Sequence, residues 1–206
     1  MSFENDLNHQ RAKQICEVIF ATLISCVVCL PIILLLLLIH NHPSPDFTLH
    51  DIKLYAFDVS TMTSSLTSDL QITIFCKNQY VEGLHVDQID VYASYRNQQI
   101  TPLTTIPPTY LDSHDVTIWS PYLNKTTVPI DPYLAETLAQ DLAAGTVVIN
   151  VKATLRLRYK DAFIMVRYGV EVNCPGYVSF VNETDGNVIG SLVKDTFIEG
   201  CHTHTQ

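Results

Sequence analysis

The segment "VINVKATLRLRYK", residues 148–160, alternates apolar and polar side chains along its length. Successive side chains of a β-strand point to opposite faces of a sheet, so this alternation predicts a half-buried strand. Its polar face carries four cations, Lys152, Arg156, Arg158 and Lys160. Two interpretations of this basic row stay open. It is either a solvated face that discourages aggregation, or a contact for an anionic surface.

Similar alternating runs occur on both sides of this segment. Residues 70–76, 89–95 and 164–172 each place apolar side chains at every second position. Because no long helix separates most of these runs, the pattern predicts an all-β fold in which two antiparallel sheets share one core. The stretch 101–129 is rich in proline and threonine, and proline is typical of loops and edge strands.

One segment, residues 131–145, has helical rather than strand periodicity. Asp131 is placed to cap the first turn, Pro132 occupies the first helical position, and Gly145 is placed to end the helix. Between them, leucines recur at every fourth position. The segment therefore predicts a single short amphipathic helix of about three turns.

A long apolar segment without charged residues covers residues 18–39. As a helix it would extend about 30 Å, which is enough to cross the hydrocarbon core of a bilayer. The sequence therefore predicts a transmembrane helix that makes the lipid bilayer one of the partners of the chain. The expected organisation is a cytosolic tail at 1–17, the helix at 18–39, a linker at 40–46, a β-sandwich at 47–180 and a C-terminal extension at 181–206.

A cleaved signal peptide is the alternative interpretation of this segment, but its apolar region is normally shorter and ends at a small-residue cleavage site. An uncleaved signal anchor is favoured. Arg11 and Lys13 precede the segment, and the first cation after it is Lys53. Because cations near a membrane helix stay on the cytosolic side, this bias predicts a cytosolic N-terminus and a C-terminal part in the lumen or outside the cell.

Two N-glycosylation sequons agree with this orientation. "NKT" begins at Asn124 and "NET" begins at Asn182. Such triplets are meaningful only on the secretory side of a membrane. Both asparagines are therefore candidate glycosylation sites.

The cysteines divide between the membrane segment and the domain that follows it. Cys16 lies at the predicted cytosolic edge, where it is either a site of S-palmitoylation or a small apolar residue. Cys76, Cys174 and Cys201 would lie in an oxidising compartment, which permits one bridge, Cys76 to Cys174 or Cys174 to Cys201. Core packing without any bridge is the remaining interpretation.

Charge and motifs argue against several classes of function. The formal net charge is −9, whereas nucleic-acid binding needs a basic field. The chain contains no phosphate-binding glycine loop and no nucleophile elbow. Ser113, His114 and Asp115 are neighbours on one segment and cannot converge as a triad does. We therefore expect no catalytic residues and no cofactor.

Two histidine pairs resemble metal ligands in residue type alone. His40 and His42 adjoin the membrane segment, and His202 and His204 are expected to lie in a frayed tail. Neither pair has a second pair at the spacing of a metal site. We therefore expect no metal.

The order and spacing of several motifs resemble those of a known family. These motifs are "VYASY" before a turn at 91–95, "PYLAETLAQDLAAG" through the helix at 132–145, "LRLRYK" at 155–160 and "VNCP" at 172–175. Together they resemble the plant NDR1/HIN1-like proteins, which carry a late-embryogenesis-abundant (LEA) group 2 domain behind a membrane helix. Asn97 stands where the turn after Tyr95 usually holds glycine, and it is able to adopt the positive φ required.

This resemblance implies a seven-stranded, fibronectin type III-like β-sandwich outside the plasma membrane. It also implies a non-enzymatic role in defence against pathogens and in stress signalling. Membrane or cell-wall tethering, or lipid binding, in abiotic stress tolerance is the alternative. The expected partner is a membrane or cell-wall protein, and self-association is a further expectation. Plasmodesmal and endoplasmic reticulum membranes are alternative locations.

Overall fold

The computed structural model describes residues 15, 17–33, 44–161, 164–180, 189–193 and 200–205. The chain divides into two units, Met1–His42 and Pro43–Gln206. In the first unit, residues 17–33 form a helix, α1. Within the described ranges, no helix is both long and apolar enough to span a bilayer. Residues 34–39 of the predicted transmembrane segment lie outside the described residues.

The second unit, called the β domain below, is built almost entirely of antiparallel strands. Its single described helix, α2, covers Pro132–Ala143. Its described strands are β1 (Asp46–Ser60), β2 (Ser65–Lys77), β3 (Leu84–Tyr95), β4 (Gln98–Gln99), β5 (Thr104–Ile106), β6 (Thr109–Leu111), β7 (Val116–Trp119), β8 (Tyr122–Pro129), β9 (Thr146–Asp161), β10 (Ile164–Ser179), β11 (Gly190–Leu192) and β12 (His202–Thr205).

These strands form one curled sheet in which two layers face each other across the core. One layer contains β1 and β2 with β7 and β8 along the outer edge of β2. The other contains β3, β9 and β10, with β4, β5 and β6 on β3 and β12 on β10. Short strand β11 pairs with both β10 and β1 and so joins the layers.

The prediction of an all-β antiparallel fold is confirmed, but the predicted number of seven strands is wrong. The described part of the chain contains 12 strands. Prolines account for part of the difference, because Pro107 and Pro108 separate β5 from β6, and Pro121 separates β7 from β8. A proline cannot donate a ladder hydrogen bond, so it divides an edge strand into shorter pieces. Strands β11 and β12 come from the segment predicted as a C-terminal extension.

The core follows the predicted period of two. Val151, Ala153, Leu155, Leu157 and Tyr159 of β9 are all buried, as are Leu70, Ile72, Ile74 and Cys76 of β2. Strand β9 lies between β3 and β10 and pairs with both along most of its length. The intervening residues of β9 therefore lie on the surface of this layer that faces away from the core, which we call the outer face.

The predicted ends of α2 are also confirmed. The Tyr133 backbone N–H donates to Asp131 Oδ1 at 2.8 Å, which satisfies one of the free donors of the first turn. Gly145 follows the helix with φ of +84°. In the turn between β3 and β4, Asn97 has the expected positive φ of 70°, and Arg96 before it has φ of 44°. Two positive φ values are typical of the tight hairpin turn whose twist matches that of the strands.

Candidate functional site: the outer face of the β domain

The basic row of β9 lies on the outer face, as its alternation predicts. Arg156 is exposed, while Lys152 and Arg158 are half-buried. Lys152 Nζ donates a hydrogen bond of 3.3 Å to Asn97 Oδ1 in the β3–β4 turn. The side chain of Lys160 lies outside the described residues. Among the described residues of the row, Lys152, Arg156 and Arg158 thus have different environments on the surface.

Arg158 is partly neutralised by an acid from the neighbouring strand. Arg158 Nε lies 2.8 Å from Asp87 Oδ1, and the two side chains are 35% and 39% exposed. The pairing of β3 with β9 shifts register between Val86 and Gln88, and such a bulge re-aims the inserted residue, Asp87. Because surface ion pairs contribute little to stability, this pair changes the local charge more than the free energy of folding.

Two exposed cations of the outer face, Arg156 and Arg167, flank a glycine on β10. Gly169 is directly opposite Arg156, and Arg167 lies two residues away on the same side of β10. Since glycine has no side chain, a shallow depression of about 480 Å³ remains, and its lining includes Arg156, Arg167 and Asp87. Asp87 is the acid that pairs with Arg158. Neither Arg156 nor Arg167 forms an ion pair with the described residues. Two guanidinium groups beside an open floor have the chemistry to bind a carboxylate, sulfate or phosphate.

The C-terminal histidines adjoin this face, which the sequence reasoning missed. The expectation that His202 and His204 lie in a frayed tail is wrong, because both belong to β12. His204 pairs with Glu171 and His202 pairs with Asn173 on β10. The alternation of "HTHT" directly after Cys201 is the one local signal of a strand here. Such a short run identifies a strand only once its partner is known.

A second shallow depression lies between β9 and β12. Its volume is about 430 Å³, and its lining includes Tyr92, Lys152, Asn173, His202 and His204. Although it contains two histidines, no group of three His, Cys, Asp or Glu side chains within the described ranges is placed to hold a metal ion. The arrangement offers hydrogen-bond donors, acceptors and aromatic rings to a polar ligand.

A disulfide fixes β12 beside β10. Of the two pairings left open by the sequence, the structure contains the bridge between Cys174 and Cys201. The Cys201 backbone N–H also donates to the Phe47 carbonyl oxygen at 3.3 Å. Cys76 is free and buried. Burial, with a smaller contribution from the charge of Asp46, raises the pKa of the Cys76 thiol to about 12, so the thiol stays protonated at neutral pH.

The remaining candidate residues lie apart from the outer face. Asn124 is exposed on β8, in the opposite layer. Asn182 and Cys16 lie outside the described residues, as do His40 and His42. In the 112–115 segment, Ser113 Oγ donates to the Tyr80 carbonyl oxygen at 3.3 Å, so its hydroxyl contributes to the structure of a loop. His114 is exposed with φ of 58°.

The chain is similar over nearly its whole length to curated plant proteins. NDR1/HIN1-like protein 1 of Arabidopsis thaliana is 39% identical over 197 residues, which cover 94% of each chain. NDR1/HIN1-like protein 12 of the same plant is 36% identical over 193 residues, covering 92% of this chain and 90% of that protein. NDR1/HIN1-like protein 26 is 31% identical over 152 residues, covering 72% and 71%. No family model matches the chain.

Solved structures give more distant likenesses. The solution structure of a late embryogenesis abundant (LEA) protein is 18% identical with a TM-score of 0.36, covering 78% of this chain and 84% of that one. A solution structure from Arabidopsis thaliana is 14% identical with a TM-score of 0.38, covering 70% and 87%. The family resemblance seen in the sequence motifs is confirmed by the curated relatives. From these relatives, the chain belongs to the NDR1/HIN1-like family of proteins.

Proposed function

We propose that this protein is a non-enzymatic, single-pass membrane protein that acts in plant defence and stress signalling at the plasma membrane. The observation that carries the proposal is family membership over 94% of the chain. A match of that extent includes residues 18–39, so the uncharged apolar segment belongs to the region shared with the relative. In a helix, the 22 residues of this segment are long enough for the hydrocarbon core of a bilayer.

The disulfide supports a position of the β domain outside the cytosol. Cytosolic thiols are kept reduced, whereas bridges such as that between Cys174 and Cys201 persist in the secretory pathway and outside the cell. Asn124 supports the same orientation, because its side chain is exposed and therefore open to glycosylation. The charge bias across residues 18–39 is a third, independent argument, since Arg11 and Lys13 precede the segment.

In this proposal the β domain acts by binding. The outer face offers charged and polar groups on strands β3, β9, β10 and β12, and the proposed partner is a membrane or cell-wall protein. The family expectation of defence and stress signalling then requires that partner to be engaged at the cell surface. Self-association of the β domain belongs to the same proposal.

Glycosylation and protease protection together test the topology. The full chain with a C-terminal epitope is expressed in plant cells, and its mobility is compared with that of an Asn124→Gln, Asn182→Gln double variant before and after N-glycosidase. We expect a glycosidase shift that the double variant lacks, and loss of the epitope when intact protoplasts are treated with protease. An unshifted protein with a protected epitope would contradict an exterior β domain.

A complementation experiment tests the role in defence. Plants that lack the protein receive either the full chain or a variant in which a cleavable signal peptide replaces residues 1–43. We expect the full chain to restrict pathogen growth and the secreted variant to fail, because the proposal places the signalling partner at the membrane. Equal restriction by both chains would show that anchoring is dispensable.

Tethering to an anionic cell-wall polymer is the second candidate function, and the depression at Gly169 favours it. Replacing Arg156 and Arg158 by Ser is expected to leave folding and localisation unchanged if the row is a solvated face. An Arg156→Ser, Arg167→Ser variant removes both guanidinium groups that line the depression. If tethering is the function, this variant loses retention on polygalacturonate, while a Lys53→Ser, Lys125→Ser control of equal charge change on the opposite layer keeps it.

A further inference from the structure

One end of the β domain carries exposed apolar side chains close to the point where the chain enters it. The chain enters at Ser44, and the loop 78–83 and the start of β7 lie at the same end because Asp46 pairs with Lys77 and Lys77 pairs with Val116. Val81 is 73% exposed and Ile118 is 57% exposed. We call this end the entry rim, with the apolar members Tyr80, Val81, Val116 and Ile118.

The loop that displays Val81 is held in place by a buried asparagine. Asn78 is fully buried, and its Nδ2 donates to the carbonyl oxygens of Glu82 at 2.8 Å and Asp112 at 3.0 Å. The Tyr80 backbone N–H donates to Asn78 Oδ1 at 3.0 Å. Because each polar group of this side chain has a partner, the loop has one preferred conformation. The exposure of Val81 is thus fixed by the fold.

The entry rim is also bound to the incoming chain. The Ser44 backbone N–H donates to Tyr80 Oη at 3.3 Å. In the proposed topology the membrane segment ends at Ile39, and residues 40–43 connect it to Ser44. A fully extended chain advances at most about 3.6 Å per residue, so a tether of this length reaches about 18 Å. With the proposed anchor, a bilayer surface is therefore within reach of the entry rim.

The charges of the entry rim favour a zwitterionic membrane surface over an anionic one. Asp46, Glu82, Asp112 and Asp115 are all exposed, and of the described lysines at this end Lys77 is exposed. Carboxylates repel anionic lipids and are compatible with the ammonium groups of zwitterionic headgroups. A single exposed aliphatic side chain needs no explanation, but several beside a membrane attachment point have an available apolar partner.

From these observations we infer that the entry rim rests on a zwitterionic phospholipid surface, with Val81 and its apolar neighbours in contact with the bilayer interface. This inference rests on the proposed membrane anchor. Burial of apolar side chains in the interface would hold the β domain in one orientation, because a contact beside the tether adds a second point of attachment at high effective concentration. The outer face would then be presented in a constant direction.

Fluorescence quenching by lipid tests this contact in the full chain. Val81→Trp is reconstituted in phosphatidylcholine vesicles whose acyl chains carry bromine, which quenches nearby tryptophan. The control is Met62→Trp, because Met62 is 99% exposed in the turn after β1. Strand β1 contains 15 residues, so this turn lies about 45 Å from the entry end. The native Trp119 is 7% exposed and contributes the same background to both variants.

We expect brominated lipid to reduce the fluorescence of Val81→Trp well below that of Met62→Trp. Adding phosphatidylserine to the vesicles is expected to weaken the quenching, because the entry rim is acidic. Equal quenching of the two variants would overturn the inference, and stronger quenching with phosphatidylserine would overturn the assignment to zwitterionic lipid. An alkaline carbonate wash separates the two proposals. Release of the chain by the wash overturns both, whereas retention with equal quenching overturns the membrane contact alone.

Discussion

Removal of the disulfide is expected to destabilise the β domain by an amount that follows from chain length. Cys174 and Cys201 are 27 residues apart in sequence. In the loop-entropy description, cross-linking a loop of this size lowers the entropy of the unfolded chain enough to stabilise the folded state by about 3.5 kcal/mol at 25 °C. For a domain of this size, such a loss corresponds to a fall in Tm of roughly 10 °C.

The assay uses a Cys174→Ala, Cys201→Ala variant, which leaves no unpaired partner to form a wrong bridge. Both full-length chains are unfolded with urea in detergent, and the fluorescence of Trp119 reports the β domain. Trp119 is the single tryptophan of the chain and lies on β7, in the layer opposite to the bridge. Cys29→Ser is the matched control, because it removes a thiol that forms no bridge.

Two results would refute the reasoning. A loss of under about 1 kcal/mol would mean that β12 detaches locally without weakening the rest of the domain, so the bridge does not restrict the native state as the loop description assumes. The second refuting result is a reductant that destabilises the double variant as much as the parent chain. The effect of the reductant would then not come from the bridge between Cys174 and Cys201. We expect the reductant to reproduce the loss in the parent chain alone.

Three further predictions concern single positions. Asp131→Ala removes the acceptor for the Tyr133 N–H and is expected to cost about 1 kcal/mol in urea unfolding, whereas Asp131→Ser should keep most of that stability. Cys76 should resist alkylation in the native protein at pH 8.5, because its pKa of about 12 keeps the thiol protonated. When the alkylating reagent is added to the denatured protein, peptide mass spectrometry should find Cys76 modified. Rapid labelling of the native protein would contradict its burial. Gly176→Ala places a Cβ 2.5 Å from Ile52 Cδ1 in the core. We therefore expect the free energy of unfolding to fall by about 1–3 kcal/mol. Unchanged stability would show that the core repacks freely.

The candidate site shows where local pattern stops being informative. The side of β9 that carries Arg156 follows from alternation, because neighbouring side chains of a strand must point in opposite directions. The register between strands decides which residues meet: it places Arg156 opposite Gly169 and Arg158 beside Asp87. Register is set by how whole strands pair, and the bulge at Val86 shifts it by one residue.

The sequence by itself determined the antiparallel β architecture, the buried parity of its long strands and the capped helix Pro132–Ala143, because these depend on neighbours a few residues apart. Tertiary structure alone decided that Cys174 pairs with Cys201 rather than with Cys76, and that His202–Thr205 is a strand. A bridge requires two cysteines to be close in space, and a four-residue strand is stable only beside a partner. Both conditions involve residues distant in sequence, which no local pattern records.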